Sequence, residues 1–121
     1  MRQVEKAALH LEGVQLVAVS IDGTHLVLDL FGGEGCWDER GTDGRRTMPV
    51  DVAPVLAMRA PVAMCPTSDL DQLLEWCADG EQLEMELEIE GGPLGARPRR
   101  FRLGDGRRRL LLDGPQLSLH A

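Results

Sequence analysis

Aromatic residues are scarce in this chain of 121 residues, which has two tryptophans, two phenylalanines and no tyrosine. Because proteins that bind single strands of nucleic acid stack the bases on aromatic side chains, this scarcity disfavours a nucleic-acid partner. The basic residues are arginines apart from Lys6, and the formal net charge of −7 opposes general attraction to nucleic acid or to an anionic membrane. The charge favours a basic partner instead.

Long apolar segments are also missing. No apolar run approaches the roughly 18 residues that a membrane helix requires. Residues 1–10 carry charges among their apolar residues, unlike the unbroken apolar segment of a secretory signal. No linker divides the chain, and its length suits one hydrophobic core. We therefore predict a single globular domain over residues 1–121, located in the cytoplasm.

Ligands for metals and partners for disulfides are few and poorly spaced. The three cysteines form no Cys-x-x-Cys pair, and the three histidines are isolated from one another. Four carboxylates near the first cysteine lack the order of oxygen ligands found in a calcium loop. We therefore predict no metal and no cofactor. The residues concerned are Cys36, Cys65, Cys77, His10, His25, His120, Glu34, Asp38, Glu39 and Asp43.

The last third of the chain consists of two blocks of opposite charge. Nine acidic residues and no basic ones lie in Thr67 to Glu90, and seven arginines against one aspartate lie in Arg97 to Arg109. In Gln82 to Glu90 apolar residues alternate with glutamates, which is typical of a strand with one buried and one exposed face. Arg100 to Leu103 repeats the alternation with arginine. We predict a hairpin whose glutamate row faces its arginine row, with about 0.2 to 1 kcal/mol per opposed pair.

Turn residues divide the first 31 residues into three predicted antiparallel strands. These strands are Val4 to Leu11, Val14 to Ile21 and Thr24 to Phe31. Glu12-Gly13 separates the first two, and Asp22-Gly23, a dipeptide that tolerates positive φ, separates the last two. The alternation in the third strand predicts that its leucines face the core. These leucines are Leu26, Leu28 and Leu30.

The middle of the chain is harder to interpret. Gly32 to Arg46 is rich in glycine and charge, so we predict a long loop that carries Cys36 and Trp37. Residues 48–66 contain several prolines, which exclude an uninterrupted helix and leave the strand order open. The short strands predicted there are Val50 to Val52, Val55 to Met58 and Ala60 to Met64.

One helix is predicted, over about Asp69 to Ala78. Thr67 or Ser68 is suited to the N-cap, and Gly80 to the left-handed residue that ends the helix. Trp76 lies about 120° from the centre of the apolar face by helical-wheel angle, so we expect it to flank the packing. The apolar face consists of Leu70, Leu73, Leu74 and Cys77.

These elements, with further strands at Leu110 to Asp113 and Gln116 to His120, define the predicted fold class. It is α+β: a mostly antiparallel β meander that forms a strongly curved sheet or partly closed barrel, with one α-helix packed on it.

Small-molecule binding, enzymatic activity and nucleic-acid binding are the alternatives to protein binding. The segment Gly32 to Trp37 lacks the lysine of a P-loop and the third glycine of a dinucleotide fingerprint. Gly35-Cys36-Trp37 is similar to the Gly-x-Trp pattern of small ligand-carrying barrels, which implies a small-molecule site or an enzyme with a glycine-rich lid loop. Cys36 is a candidate nucleophile without a local activating signature. Arg97 to Arg109 is a basic patch that fits nucleic acid, and strand pairing is the simpler explanation.

In general layout, a meander followed by one Leu-Leu-x-Trp helix and a final hairpin, the chain resembles small bacterial proteins that neutralise toxins, including immunity proteins. The preference for arginine over lysine agrees with a GC-rich bacterial genome. We predict a non-enzymatic domain that binds and blocks another protein, preferably a basic one, and a homodimer is also compatible with the sequence. We expect the acidic surface of Asp69 to Glu90 to steer the partner, and Trp37 or Trp76 then to be buried against it. The predicted partner-binding residues are Trp37, Trp76, Glu84, Glu86 and Glu88.

Overall fold

The structure, a computed structural model, describes residues 4–52, 55–91 and 97–120, and it is mostly antiparallel β-sheet with one helix. The elements are β1 (Val4–Asp22), β2 (His25–Phe31), β3 (Glu34–Gly41), β4 (Gly44–Asp51), β5 (Val55–Pro61), a 3-10 turn (Val62–Met64), α1 (Thr67–Asp79), β6 (Gln82–Glu90), β7 (Arg97–Gly104), β8 (Arg109–Asp113) and β9 (Gln116–His120). Within these ranges no helix combines the length and the apolar character needed to cross a membrane.

The first strand runs without a break through the predicted turn at Glu12-Gly13, so the prediction of two strands there is wrong. Gly13 has a positive φ of 73°, and the register of β1 against β6 shifts between Leu11 and Val14. A glycine with this backbone produces a bulge that bends a strand without ending it. The hairpin to β2 turns at Gly23 and Thr24, since Asp22 pairs with His25.

Each half of β1 has different neighbours. Its first half pairs with β6 on one edge and with β3 on the other, and its second half pairs with β2. Strands β2 and β3 therefore lie end to end along one edge of β1, separated by Gly32 and Gly33, and β5 and β4 continue in the same way along the next edge. The amide of Val52 donates to the carbonyl of Gly33 at 3.0 Å across this junction.

The predicted loop over Gly32 to Arg46 is wrong. Residues 34–51 form the hairpin of β3 and β4, which extends the sheet beyond the first half of β1. Sequence patterning missed it because neither strand carries a fully buried residue, so no clear apolar alternation appears. Pro49 is compatible with β4 because β4 is an edge strand, where a missing amide donor breaks no ladder.

The remaining strands extend the sheet in both directions, in the order β8-β7-β6-β1-β2-β5-β9. The two end strands follow each other in sequence, joined by Gly114 and Pro115. A connection of this length spans only about 10 Å, so the sheet curves strongly enough to bring its ends near each other. No hydrogen-bonded pairing joins β8 to β9 in the described residues, so the sheet is not closed, and the predicted partly closed barrel describes it only loosely.

The core is one cluster on the inner face of the sheet. The predicted core leucines of β2 are 0 to 1% exposed, and Leu83, Met85 and Leu87 of β6 are 1 to 2% exposed, which confirms both alternation patterns. Among the described residues no polar or charged side chain is buried. The inner face is therefore held by apolar packing, and the polar groups remain on the outer face.

The helix extends further than predicted and is held from two sides. Gly80 ends it in the left-handed conformation, as predicted, but Pro66 occupies the N-cap, and neither Thr67 nor Ser68 caps it. Trp76 is 1% exposed, so the expectation that it only flanks the packing is wrong. Its indole Nε1 donates to Asp105 Oδ2 at 3.2 Å, so the β7–β8 turn contacts the helix.

Asp105 organises this turn. Its Oδ1 accepts the backbone amides of Arg107 at 2.8 Å and Arg108 at 3.0 Å, and the Arg108 guanidinium donates to Asp69 in the first turn of α1 at 2.8 Å. The hydrogen bonds from the amides of Arg107 and Arg108, helped by the indole of Trp76, lower the pKa of Asp105. The carboxylate form of Asp105 therefore stabilises the contact between helix and turn.

The close approach of β3 to β1 predicts a strict requirement for glycine at position 35. A Cβ atom there would overlap the carbonyl oxygen of His10 and lie 3.1 Å from Leu11 Cα. Both neighbours are backbone, so they cannot move aside without breaking the strand pairing. We expect Gly35→Ala to reduce the free energy of unfolding by about 1 to 3 kcal/mol in urea titration. The exposed neighbour Glu34→Ala serves as the control, and equal stability of the two variants would contradict the requirement.

Asp105 predicts an acid-sensitive contact. A carboxyl whose pKa is lowered on folding stabilises the protein above its unfolded pKa of about 3.9 and loses this contribution as the pH falls through the folded value. We expect Asp105→Asn to be less stable than the parent at pH 6, and the difference to shrink between pH 4 and pH 2. Urea titrations across this range measure it. The exposed Asp71→Asn on α1 is the control, and a constant difference for Asp105→Asn at all pH values would contradict the linkage.

Candidate functional site

The outer face of the sheet carries the charged side chains that the sequence singled out. We call the outward side chains of β6, β7, the first half of β1, β3 and β4 the charged face. In one row across these strands the pairing places Arg102, Glu86, His10 and Cys36 directly opposite one another in turn. Rows of this kind hold their side chains at fixed spacing, because opposed Cβ atoms lie about 4.5 to 5.5 Å apart.

The predicted pairing of glutamates with arginines is confirmed for Glu86 and Glu88. Arg102 contacts Glu86 at 3.2 Å and Glu88 at 3.8 Å. Arg100 lies opposite Glu88 in the register, but its ion pair is with Asp113 on β8 at 3.5 Å. Glu86 also approaches His10, with Oε2 at 3.4 Å from Nδ1. Most of the charge of this row is therefore compensated inside the protein.

A second compensated cluster lies on the β3–β4 hairpin. Arg45 donates to both carboxylate oxygens of Asp38, at 2.9 and 2.6 Å, and Thr47 donates to the same carboxylate at 3.3 Å. The hydrogen bond from Arg45 is the main reason that the pKa of Asp38 is lowered. This arrangement stabilises the hairpin, and the charges of Arg45 and Asp38 compensate each other.

Four carboxylates on the charged face have no such compensation. Glu12, Glu34 and Asp51 are directly opposite one another on β1, β3 and β4, and Glu84 lies on β6 opposite Gly104. All four are exposed, and in the described part of the chain none of them has a basic partner. We call these four residues the acidic band. Like charges directly opposite one another across strands are destabilising, so packing alone does not favour this arrangement.

Residues of the acidic band line two depressions on the charged face. The first has a volume of about 140 Å³ and lies between β1, β6 and β7. The second lies between β1, β3 and β4. His10 and Glu12 line both depressions and separate them. Glu84, Glu86 and Arg102 line the first, and Glu34, Cys36 and Asp51 line the second.

Trp37 is on the opposite face of the sheet from these charges. It lies on β3 between Leu9 of β1 and Met48 of β4, in the row that continues from the buried Leu87 and Phe101. The row leaves the core at this point, and Trp37 and Met48 are half-buried. The Trp37 indole donates to Glu39 at 3.1 Å. The structure therefore separates Trp37 from the three glutamates that the sequence grouped with it.

Trp76, the other predicted anchor, lies in the core against Asp105 and presents almost no surface to a partner. We therefore leave it out of the candidate site.

The arginine patch is largely paired within the chain. Ion pairs join Arg99 to Glu90, Arg100 to Asp113, Arg102 to Glu86 and Arg108 to Asp69. The field available to nucleic acid is therefore weaker than the run of arginines in the sequence indicates.

The residues considered for metal binding do not converge on one point. Asp38 and Glu39 point to opposite faces of β3, as consecutive residues of a strand do. In the described ranges no group of three or more histidine, cysteine, aspartate or glutamate side chains is arranged to hold a metal ion.

Sequence reasoning missed the acidic band. Glu12, Glu34 and Asp51 are separated by 22 and 17 positions in the chain, and only the pairing of β1, β3 and β4 brings them together. A hairpin prediction for residues 34–51 would have opposed Glu34 and Asp51.

Comparisons of this chain with protein-family models, with curated proteins and with solved structures found no match.

The paired row predicts a measurable coupling between Glu86 and Arg102. We expect a double-mutant cycle of Glu86→Gln and Arg102→Gln to give about 0.2 to 1 kcal/mol at low salt, because both side chains are partly shielded from water. Urea titration of the four proteins measures the coupling. In the control cycle Glu84→Gln replaces Glu86→Gln, and no coupling is expected. Equal coupling in both cycles would mean that general charge, and not this contact, is responsible.

Proposed function

We propose that this protein is a non-enzymatic binding domain that recognises and blocks a basic partner protein, in the manner of an immunity protein or antitoxin. The observation that carries the proposal is the pair formed by Trp37 and Met48, which continues the core-facing row onto a hairpin where nothing in the described structure buries it fully. Tryptophan is the side chain most enriched at the centres of protein interfaces, and methionine adapts to varied partner surfaces.

The surroundings of Trp37 suit an interface. Glu39 lies beside it on the same face, accepting its indole hydrogen bond, and Arg46 lies opposite Glu39 on β4. This arrangement gives an apolar centre with a charged rim, which is the usual organisation of a protein-binding surface.

Charge supplies the second part of the proposal. The net charge of −7 steers a basic protein toward the domain. The sequence predicts steering by the acidic surface of Asp69 to Glu90, but within that surface Arg102 compensates Glu86 and Glu88. The acidic band, whose four carboxylates are exposed and lack a basic partner in the described residues, contributes more of the attractive field. Glu84 belongs both to the acidic surface predicted from the sequence and to the acidic band.

The interior of the sheet supports a protein partner over a small ligand. A carrier barrel holds its ligand in a cavity with a few inward polar groups. Here the buried residues of the described structure are all apolar and form a single cluster that includes Trp76 and Phe101. The glycine-rich segment that would form a lid is the β3–β4 hairpin.

The test uses small basic proteins and arginine-rich peptides as probes, with association and dissociation rates measured by surface plasmon resonance. We expect Glu34→Lys with Asp51→Lys to slow association about tenfold or more at low ionic strength, because steering changes on-rates by 10- to 1,000-fold. The control is Asp71→Lys with Glu75→Lys on α1, which makes the same change in net charge on another surface. We expect a smaller effect from the control.

Trp37→Ala tests the anchor separately. We expect it to speed dissociation about 30-fold, which corresponds to roughly 2 kcal/mol for a central tryptophan, and to leave association nearly unchanged. Binding should also shift the NMR resonance of the Trp37 indole N–H. The proposal would be wrong if no probe bound at low ionic strength, or if the bound complex left both the indole resonance and the dissociation rate of Trp37→Ala unchanged.

A further inference from the structure

Cys36 lies in a row of side chains whose chemistry the proposed binding function does not use. The pairing of three strands places Glu86, His10 and Cys36 directly opposite one another on β6, β1 and β3. The row has the order carboxylate, imidazole, thiol, which is the order in which a carboxylate orients a base and the base activates a nucleophile. Local sequence patterns do not reveal this row, because Glu86 is 50 positions from Cys36, and Cys36 is 26 positions from His10.

The contact of Glu86 with His10 fixes one end of this row. Glu86 Oε2 is 3.4 Å from His10 Nδ1, so a proton on Nδ1 can be shared with the carboxylate. This leaves Nε2 as the ring nitrogen that can accept a proton from another group. Arg102 holds the other oxygen of Glu86 at 3.2 Å, which keeps the carboxylate in place, and Glu84 is the next outward residue of β6.

The thiol lies on the far side of His10 and is accessible. Cys36 is partly exposed and lines the depression between β1, β3 and β4 that His10 also lines. Arg45 of the neighbouring strand is in electrostatic range: its pKa is raised chiefly by its hydrogen bond to Asp38 and by that carboxylate, and also by the charge of Cys36. A thiolate at Cys36 therefore has a guanidinium on one strand and an imidazole on the other.

The other two thiols are in different surroundings. Burial, with a smaller contribution from Asp69, raises the pKa of Cys65, which disfavours its thiolate. The Cys77 thiol donates to the carbonyl oxygen of Val17 at 3.5 Å. Neither lies opposite a histidine on a paired strand, because Cys65 follows the 3-10 turn and Cys77 lies on α1. The protein thus contains two internal references for the reactivity of Cys36.

The depression beside Cys36 also favours one class of reactant. Three carboxylates of the acidic band, Glu12, Glu34 and Asp51, line it together with Cys36. They attract a cation and repel an anion at short range. A small molecule that approaches Cys36 through this depression is therefore selected for positive charge.

We propose that Cys36 is a modification site that reacts with small cationic disulfides by thiol–disulfide exchange, with His10 as the base and Glu86 as the residue that positions His10. The Cys36 thiol gives its proton to His10 Nε2, and Sγ attacks one sulfur of the disulfide. A new bond forms between Sγ and that sulfur, and the original S–S bond breaks. The departing thiolate takes the electron pair of that bond and then the proton from His10, so one thiol and one disulfide are present before and after the reaction.

The experiment compares cystamine, a cationic disulfide, with oxidised glutathione, an anionic one, and measures the modification of each cysteine by peptide mass spectrometry. We expect Cys36 to react with cystamine at pH 7 at least tenfold faster than Cys65 or Cys77 does, and faster with cystamine than with oxidised glutathione. Equal rates for the three cysteines would overturn the proposal.

His10→Gln tests the base, and His10 is exposed, so the fold should tolerate the change. We expect it to reduce the Cys36 rate with cystamine roughly tenfold at pH 7. The loss should become smaller in alkaline buffer, because hydroxide then replaces His10 as the base. Glu86→Gln should reduce the rate less and move the pH profile in the same direction. A merely structural effect would lower the rate equally at all pH values, and that result, or an unchanged rate, would refute the role of His10.

Glu34→Gln with Asp51→Asn tests the selection by charge and keeps the row intact. We expect these substitutions to bring the cystamine and glutathione rates closer together while the tenfold dependence on His10 remains. An unchanged ratio of the two rates would show that the acidic band does not select the disulfide. The acidic band serves both proposals, but the anchor of the binding function does not: Trp37 lies on the other face of the sheet, so a Trp37→Ala variant should be modified at the parent rate.

Discussion

The architecture depends on β1, which is the only strand in the described structure that pairs with three others. Its 19 residues are too many for one straight edge of a small sheet, so the strand bends at Gly13, where only glycine readily adopts the positive φ. Gly32 and Gly33 bend the neighbouring ribbon at the same level. Because of this bend, both halves of β1 contribute residues to the core. The first half of β1 also pairs with β3, so that the β3–β4 hairpin extends beyond the core.

The helix and the charged face both depend on contacts with residues that lie further along the sequence. Trp76 is buried because Asp105, 29 residues downstream, accepts its indole hydrogen bond and organises the turn that contacts the helix. On the outer face, Arg102 compensates Glu86 and Glu88 while Glu12, Glu34 and Asp51 stay uncompensated. The described charged residues therefore include ion pairs across strands and exposed carboxylates without a basic partner in the described structure.

The proposed interface anchor and the proposed reactive thiol lie on the two faces of the same hairpin. Consecutive residues of β3 point to opposite sides, so Trp37 faces the apolar row and Cys36 faces the charged row. The acidic band lies on the face of Cys36 and serves both proposals. Cys36 and Trp37, although neighbours in the sequence, therefore lie on two chemically distinct surfaces.

Much of the fold was readable from local pattern. Strand β6, its pairing with β7, the leucines of β2 and the end of the helix at Gly80 follow from alternation and glycine chemistry, which act over a few residues and need no knowledge of the rest of the chain. The continuity of β1, the β3–β4 hairpin, the burial of Trp76 and the rows that place Cys36 beside His10 and Glu12 beside Glu34 were decided only by tertiary structure. Each of them requires a particular neighbour from a distant part of the chain, and the register of paired strands is set by the burial of all their apolar faces together.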